Sequence, residues 1–382
     1  MKRLKTAVIG MGYISVSHID ALRRIPECEL YAVADTNAEL ARQKAEAYAA
    51  PRYFASWQEA IRCPDIDVVH NCTPTNLHTV INKAAISAGK HLFTEKPLAL
   101  SAAETDELIA HSRLHPGVAV GVNYNYRMNP MVQDMRKRLE AGAVGDVLAV
   151  SGCYLQDWLL YDTDYSWRLE PAFAGPSCAV ADIGTHWMDL VQHVTGLRIT
   201  ELMADLRATY PVRKKPKKQT ETFAQSDGEY VLTKVENEDY GSVLFHLENG
   251  ARGVFTVSEV SAGHGCYFQV EINGSKQSLM WNQEQNDRLW IGRRNGENSL
   301  VLRDPSCLSP AIRTSLAKGH PEGWNDAFSE NISAFYRHLL ALADGRADTP
   351  VFATLEEAAR LVRLTEACVE SSKQRRWVKL ED

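Results

Sequence analysis

Asp182 and His186 stand four residues apart, a spacing that puts a carboxylate and an imidazole on one face of a helix. An imidazole moves protons near neutral pH, and a carboxylate beside it can hold the ring or share a substrate hydroxyl. Taken alone, the pair reads better as an N-cap Asp with a packed His. No third ligand at a characteristic spacing accompanies His186 and His193, so no metal site is expected. Lys96, in Glu95-Lys96-Pro97, follows the apolar run 91–94. Pro97 restricts Lys96 to extended conformations, and ligands of open α/β sheets bind beyond the carboxyl ends of strands.

Gly10-Met11-Gly12-Tyr13-Ile14-Ser15 also follows an apolar run and opens a helical pattern, the context a dinucleotide fingerprint requires. Two glycines permit a tight turn and bring backbone N–H groups close to a pyrophosphate, whose charge a helix N-terminus favours. Ser15 stands where a third glycine is usual, which loosens helix–strand packing slightly. Asp35 comes 23 residues after Gly12. A carboxylate there accepts hydrogen bonds from both adenosine ribose hydroxyls and repels a 2′-phosphate. Thr36 and Asn37 offer no cation to offset that repulsion, and the nearest is Arg42. NAD is expected rather than NADP, and Asp35 as a helix N-cap is compatible with that role.

The elements that must position these groups follow from periodicity. Strands are expected at 6–9, 30–34, 68–71, 91–94 and 118–122, with helical patterns between them. Ser56 with Glu59 and Ser101 with Glu104 match capping boxes, and Gly89 ends a helix over 76–88. Such alternation implies a parallel, doubly wound sheet. From about Asp146 longer alternating strands appear, at 241–247, 251–257 and 267–272, with Asn249-Gly250 as a hairpin turn. Helices are expected at 182–195, 324–343 and 355–371, the last opened by Thr354 and Glu357. The fold class is therefore α/β, with an N-terminal domain over 1–123 and an α+β domain over 124–353. The helix and tail of 354–382 are expected to pack near the domain interface.

The composition excludes several alternatives. In 382 residues, 45% are apolar and 24% charged, the balance of a soluble globular chain and not of a disordered one. A net charge of -6 lacks the basic field that nucleic acid requires. No apolar run is long enough for a membrane-spanning helix. Arg213-Lys214-Lys215-Pro216-Lys217-Lys218 reads as a solvated, mobile loop, with a polyanion patch as its functional alternative. The eight cysteines contain no C-x-x-C pair, fit neither a zinc site nor a disulfide scaffold, and point to a reducing cytoplasm.

Gly10–Ser15, Asp35, Thr73-Pro74 with Asn76 and His78, Glu95-Lys96-Pro97, and Asp182–His186 followed by Asp189 resemble the Gfo/Idh/MocA family of oxidoreductases in order and spacing. The likeness continues through Glu238-Asp239-Tyr240 and Asn249-Gly250 to the C-terminal helix. It implies an N-terminal Rossmann domain, a C-terminal domain with a large, open-faced, mostly antiparallel sheet used in a homo-dimer or homo-tetramer, and bound NAD. By the same resemblance Lys96, Asp182 and His186 are catalytic. Gly10, Gly12, Tyr13, Ile14, Asp35, Thr73, Pro74, Asn76, His78, Glu95 and Lys96 hold the cofactor. Asn123, Tyr124, Arg127, Trp167 and Arg168 join the catalytic three at the substrate.

Gly319-His320-Pro321-Glu322-Gly323-Trp324 is similar to a pyranose-oxidising subgroup that includes levoglucosan dehydrogenases acting at C3, and adds His320 and Trp324 as a pocket wall. A turn with a buried Trp explains that segment equally well. The family pattern departs at Pro176-Ser177-Cys178-Ala179, where many members are glycine-rich. The expected activity is hydride transfer between a sugar or cyclic polyol hydroxyl and NAD. Two alternatives are an NAD-dependent glycosidase with transient oxidation and a ligand-sensing regulator without turnover.

Overall fold

A computed structural model describes residues 3–217 and 228–380, which fall into two compact units. The first holds the residues up to Asn125 together with Phe328–Val362, and the second holds Tyr126–Ala327 and the residues from Arg363 onward.

Among the described residues of the first unit, six parallel strands form one sheet: β1 (Leu4–Ile9), β2 (Cys28–Ala34), β3 (Arg52–Phe54), β4 (Val68–Asn71), β5 (His91–Thr94) and β6 (Val120–Val122). Their order, β3-β2-β1-β4-β5-β6, is the doubly wound one. The helices α1 (Tyr13–Arg23), α2 (Ala38–Tyr48), α3 (Trp57–Arg62), α4 (His78–Ser87) and α5 (Ala102–Arg113) connect the first five strands and lead to the sixth. Local chemistry sets their starts: Asn37, Ser56 and Ser101 accept the N–H groups of Leu40, Glu59 and Glu104. Gly89, at φ +71, stops α4 as expected. The helix expected over 76–88 begins with a 3-10 turn, Thr75–Leu77. β3 escaped the sequence reading because three partly exposed edge residues carry no alternation.

Phe328–Val362 belongs to this unit, whereas the sequence division at 353 put its first part with the second domain. Its aromatic side chains explain the difference. Phe335 packs against Phe93 and Phe352, the Tyr336 hydroxyl lies 2.6 Å from Thr6 Oγ1, and Asn331 donates to Asn123 at 3.0 Å. At Gly121 a Cβ would stand 2.9–3.0 Å from the rings of Phe93, Phe335 and Phe352, so a larger residue would part them.

The second unit contains α6 (Pro130–Glu140), β7 (Val147–Leu155), α7 (Pro171–Ala174) and α8 (Thr185–Thr195), then a run of strands. These are β8 (Ile199–Arg207), β9 (Val212–Pro216), β10 (Tyr230–Lys234), β11 (Tyr240–Leu247), β12 (Arg252–Ser258), β13 (Tyr267–Gly274), β14 (Ser278–Asn282), β15 (Arg288–Gly292) and β16 (Ser299–Leu302). Two long helices, α9 (Trp324–Ala343) and α10 (Leu355–Gln374), run on from it and back into it, and β17 (Val378–Lys379) ends the described chain. The described sheet has nine strands in the order β16-β15-β14-β13-β7-β12-β11-β8-β17.

All neighbours in that sheet are antiparallel except β7 and β12, because β7, formed early in the chain, inserts between β12 and β13. Gly250, at φ +88, makes the expected β11–β12 turn. One face buries Val243, Phe245, Phe255 and Val257, and Trp187 of α8 stacks on Phe255 at 4.5 Å. Burying such an indole stabilises the layer by about 2–3 kcal/mol. The other face is open. Leu244 and Val254, opposite each other in the ladder, are 48% and 41% exposed.

The basic stretch is not a free loop. Val212–Pro216 is strand β9, paired with β10, and Arg213 is fully buried with its guanidinium 2.7 Å from Asp239. Lys214, Lys215 and Lys217 pair with Asp162, Glu170 and Glu229. Lys218 lies outside the described residues. The polyanion reading loses its cations to these partners, and the buried arginine is present because a buried carboxylate must be compensated.

Candidate active site

Because the six strands run parallel, the residues after each of them line one edge of the first unit. Gly10 follows β1 at φ +89, and a Cβ there would meet the Cys72 carbonyl at 2.9 Å, so only glycine lets the turn lie against the β4 loop. Gly12 differs: a Cβ would meet nothing within 4 Å. It precedes α1, eleven residues long, without a side-chain cap, and the space beside its backbone is open. Tyr13 is exposed and Ile14 half-buried at the start of α1. Ser15 is fully buried and donates its hydroxyl to the Gly12 carbonyl at 2.6 Å, taking up the room of the missing glycine.

Asp35 follows β2. Its carboxylate accepts the Met11 N–H and the Asn37 N–H, each at 2.8 Å, which joins it to the glycine loop. Asn37, and not Asp35, supplies the helix cap. A small backbone-lined turn, an uncapped helix start and a carboxylate on the next strand fit a dinucleotide: Gly10–Gly12 at the pyrophosphate and Asp35 at the ribose. Asn76 adds a buried Oδ1 without a hydrogen-bond partner among the described residues.

The remaining loops of this edge are tied together. Thr73 donates to Asn71, which donates to Asn82, which donates to Thr94. His78 reaches the Thr73 carbonyl through Nε2 at 2.8 Å and the Pro97 carbonyl through Nδ1 at 2.7 Å. Burial lowers its basicity, and the two carbonyls oppose that. The Lys96-Pro97 peptide is cis. Glu95 is buried, which pushes its carboxyl up. The His18 hydrogen bond, joined by Asn123 and the Lys96 charge, outweighs burial and holds it below the ordinary range.

In the second unit, Asp182 lies in a π-helical turn, Val180–Gly184, that runs into α8, in place of the regular α-helix expected over 182–195. Such turns widen a helix locally and are common at functional sites. Asp182 is not the cap: its N–H bonds the Cys178 carbonyl inside the helix. The cap is Ser177, whose hydroxyl accepts the Ala181 N–H, with Glu238 accepting the Val180 N–H. This is how the chain starts the helix without the family's glycines.

Arg168 Nε stands 3.3 Å from Asp182 Oδ1, and its guanidinium lies 4.7 Å over the Trp167 ring. Arg168 Nη1 is buried with no hydrogen-bond partner among the described residues. His186 meets the Tyr126 ring edge-on at 5.0 Å, and Tyr126 bonds Tyr154 at 2.7 Å and the Trp324 indole. The imidazole thus packs on the Tyr126 ring, whose hydroxyl is held by these two partners.

Other expected site residues are placed differently. Arg127 is buried in a two-pronged ion pair with Asp189, 2.8 Å through Nε, so its fork holds the start of α6 to α8 and not a free ligand position. The His320 side chain is exposed, and its carbonyl accepts from Arg303. Asn123 is spent on Glu95 and Asn331, while Tyr124 is fully buried. Sequence reasoning passed over Glu259, fully buried beside Cys178 Sγ at 3.3 Å, whose carboxyl burial and the Asp182 charge push well up. It also passed over His18, whose only signal was a polar residue on the buried face of α1.

Among the described residues, no helix is long and apolar enough to cross a membrane, and no group of three His, Cys, Asp or Glu could hold a metal. Residues 4–124 match the model of an oxidoreductase family with an NAD-binding Rossmann fold, and residues 132–280 match the GFO/IDH/MocA C-terminal domain. A levoglucosan dehydrogenase of Pseudarthrobacter phenanthrenivorans is 28% identical over 99% of this chain and 98% of its own. A myo-inositol 2-dehydrogenase of Thermotoga maritima is 23% identical over 99% of both. A solved levoglucosan dehydrogenase in complex with NADH and L-sorbose superposes with a TM-score of 0.87 at 26% identity over the whole of each chain. Together with the glycine turn and its aspartate, these likenesses make the protein an NAD-binding oxidoreductase that belongs to the Gfo/Idh/MocA family.

Proposed function

We propose that the protein oxidises a secondary hydroxyl of a cyclic sugar or polyol, a pyranoside at C3 being the best candidate, and catalyses the reverse ketone reduction. The observation that carries this reading is the group Asp182, Arg168 and His186, with an unspent buried guanidinium N–H beside a carboxylate and an imidazole packed on the Tyr126 ring. A polyhydroxy ring offers hydroxyls to match both. Relatives named for levoglucosan and myo-inositol support the substrate class.

Bound NAD supplies the acceptor for the hydrogen and two electrons that leave the carbinol carbon. The chain's own part is proton handling and charge. His186 takes the hydroxyl proton, Lys96 stabilises the developing alkoxide, and Asp182, held by Arg168, orients the hydroxyl. Lys96→Ala and His186→Asn should each lower turnover by about 100-fold or more, with NAD affinity little changed.

A panel of sugars and polyols, read by the absorbance of reduced cofactor, tests the proposal. Glycoside cleavage without accumulating NADH would favour the glycosidase alternative, and NAD binding without turnover on any member would favour the sensor. The exposed Leu244 and Val254 support pairing of copies through the open sheet face as a homo-dimer or homo-tetramer, which sedimentation checks. The eight free thiols support a cytoplasmic location.

A further inference from the structure

Five polar side chains are hydrogen-bonded in series inside the first unit. Glu95 Oε1 lies 2.8 Å from His18 Nε2, and His18 Nδ1 lies 2.8 Å from His70 Nδ1. His70 Nε2 lies 3.2 Å from the Tyr336 hydroxyl, which lies 2.6 Å from Thr6 Oγ1. All five are buried, and the reaction as read above uses none of His18, His70, Tyr336 or Thr6.

Each link needs one donor and one acceptor, and a neutral imidazole offers one of each. Only one proton fits between the two Nδ1 atoms. Burial above all holds His70 well below the ordinary imidazole range, so His70 is neutral. Two patterns remain. In the first, the Tyr336 hydroxyl donates to His70 Nε2, His70 Nδ1–H donates to His18 Nδ1, and His18 Nε2–H donates to Glu95. In the second, His18 carries both protons and donates in both directions, which pairs Glu95 with an imidazolium.

The other contacts of Glu95 favour the first pattern. Its Oε1 also accepts the Asn123 amide at 2.6 Å and its Oε2 the Lys96 N–H at 3.2 Å, so neutral donors already surround the anion. The remaining titratable groups that sense Glu95 are Cys72 after β4 and His78 of α4. Burial pushes the Cys72 thiol up and lowers His78. Besides His18, whose protons the two patterns place differently, the cation among these neighbours is Lys96.

We propose that Tyr336, His70 and His18 form a one-way hydrogen-bond chain, every donor aimed at Glu95, which fixes the Glu95 carboxylate as the counter-charge behind Lys96. His18 and His70 are then positioning residues for Lys96, and this rests on the catalytic role proposed for that lysine. Replacing Glu95 by its neutral isostere removes the charge, and replacing His18 by an apolar residue removes its principal donor.

Neutron diffraction from deuterated crystals of the wild-type protein reads the chain directly. A deuteron on His18 Nε2 and on His70 Nδ1, with none on Glu95, is expected. Deuterons on both His18 nitrogens, or on Glu95, would overturn the proposal. In kinetics with the best substrate of the sugar panel, Glu95→Gln should lower kcat about 30-fold and His18→Leu about 10-fold, with KM within about 3-fold. His18→Gln, which keeps an N–H for Glu95, should recover to within about 3-fold of wild type. Wild-type kcat in folded Glu95→Gln and His18→Leu would also overturn the proposal. An unchanged kcat in Lys96→Ala would remove the parent reading, whereas a different deuteron pattern would remove this one alone.

Discussion

Ser177 and Glu238 start one helix together: the Ser177 hydroxyl donates to Glu238 Oε1 at 2.6 Å while accepting the Ala181 N–H at 3.1 Å. The same Oε1 accepts the Val180 N–H at 2.9 Å. Asp182 and His186 stand on the helix that this pair anchors. Ser177→Ala should lower unfolding free energy by about 1–2 kcal/mol, read by urea denaturation, because a helix cap is lost and a buried carboxyl loses its partner.

Glu259 gives a pH dependence of stability. In the folded protein, burial and then the charge of Asp182 push its carboxyl well above the ordinary range. In the unfolded chain it ionises near about pH 4.3, so above that pH the folded state holds a proton that the unfolded state releases. Its contribution to stability is therefore present at low pH and lost as pH rises. Glu259→Gln should remove up to about 1.4 kcal/mol per pH unit of that downward slope, measured by urea unfolding between about pH 5 and 8.

The two fingerprint glycines should fail differently. Gly10→Ala drives a Cβ into the Cys72 carbonyl at a positive φ, and should destabilise the fold by about 2 kcal/mol or more in thermal unfolding. Gly12→Ala meets no protein atom, so the melting temperature should hold. Its NAD affinity should drop about 10-fold or more in a fluorescence titration, since the new methyl occupies space assigned to the pyrophosphate.

Asp35 predicts the cofactor preference. With its carboxylate fixed by the Met11 and Asn37 N–H groups, NAD should be favoured over NADP by about 10-fold or more in kcat/KM. Asp35→Ser with Thr36→Arg should narrow the gap. Equal efficiency of the wild-type enzyme with both cofactors would remove Asp35 from the ribose.

Arg213 and Asp239 form a fully buried pair. Arg213→Ala leaves the carboxylate uncompensated and should cost about 3–5 kcal/mol in denaturant unfolding. Arg213→Met combined with Asp239→Leu should recover much of the loss, because neither charge is then stranded.

The parallel sheet was legible because β1, β2, β4 and β5 are short, largely apolar runs separated by helical patterns, two of them opened by a capping asparagine or serine, signals that local chemistry writes into neighbouring residues. The glycine turn and Asp35 were legible for the same reason. What sequence could not reveal are pairings between distant segments. Arg213 reads as one of five cations in a polar run until Asp239, 26 residues on, takes its guanidinium. His18 reads as an interruption of an apolar helix face until His70 and Glu95 meet its ring. Tyr336 reads as a residue of the second domain until its hydroxyl reaches Thr6. The helix that opens with the π-helical turn at Val180–Gly184 is anchored by Ser177 with Glu238, 61 residues apart, and spacing within the helix carries no trace of that pairing.

The chain's last described residues guard the sheet against other chains. Strand β8 would end the sheet with a row of unpaired backbone groups, and such a row recruits strands from neighbouring molecules. Here Val378–Lys379 pairs with Glu201 and Leu202, and the Leu380 N–H reaches the Thr200 carbonyl. Further along, the Ser371 and Ser372 hydroxyls accept the N–H groups of Ala204 and Leu206. The backbone row of β8 is thus covered by a tail remote in sequence from the residues proposed for catalysis. A chain ended after Gln374 should expose the part of that row around Glu201 and Leu202 as a template for strand-to-strand aggregation.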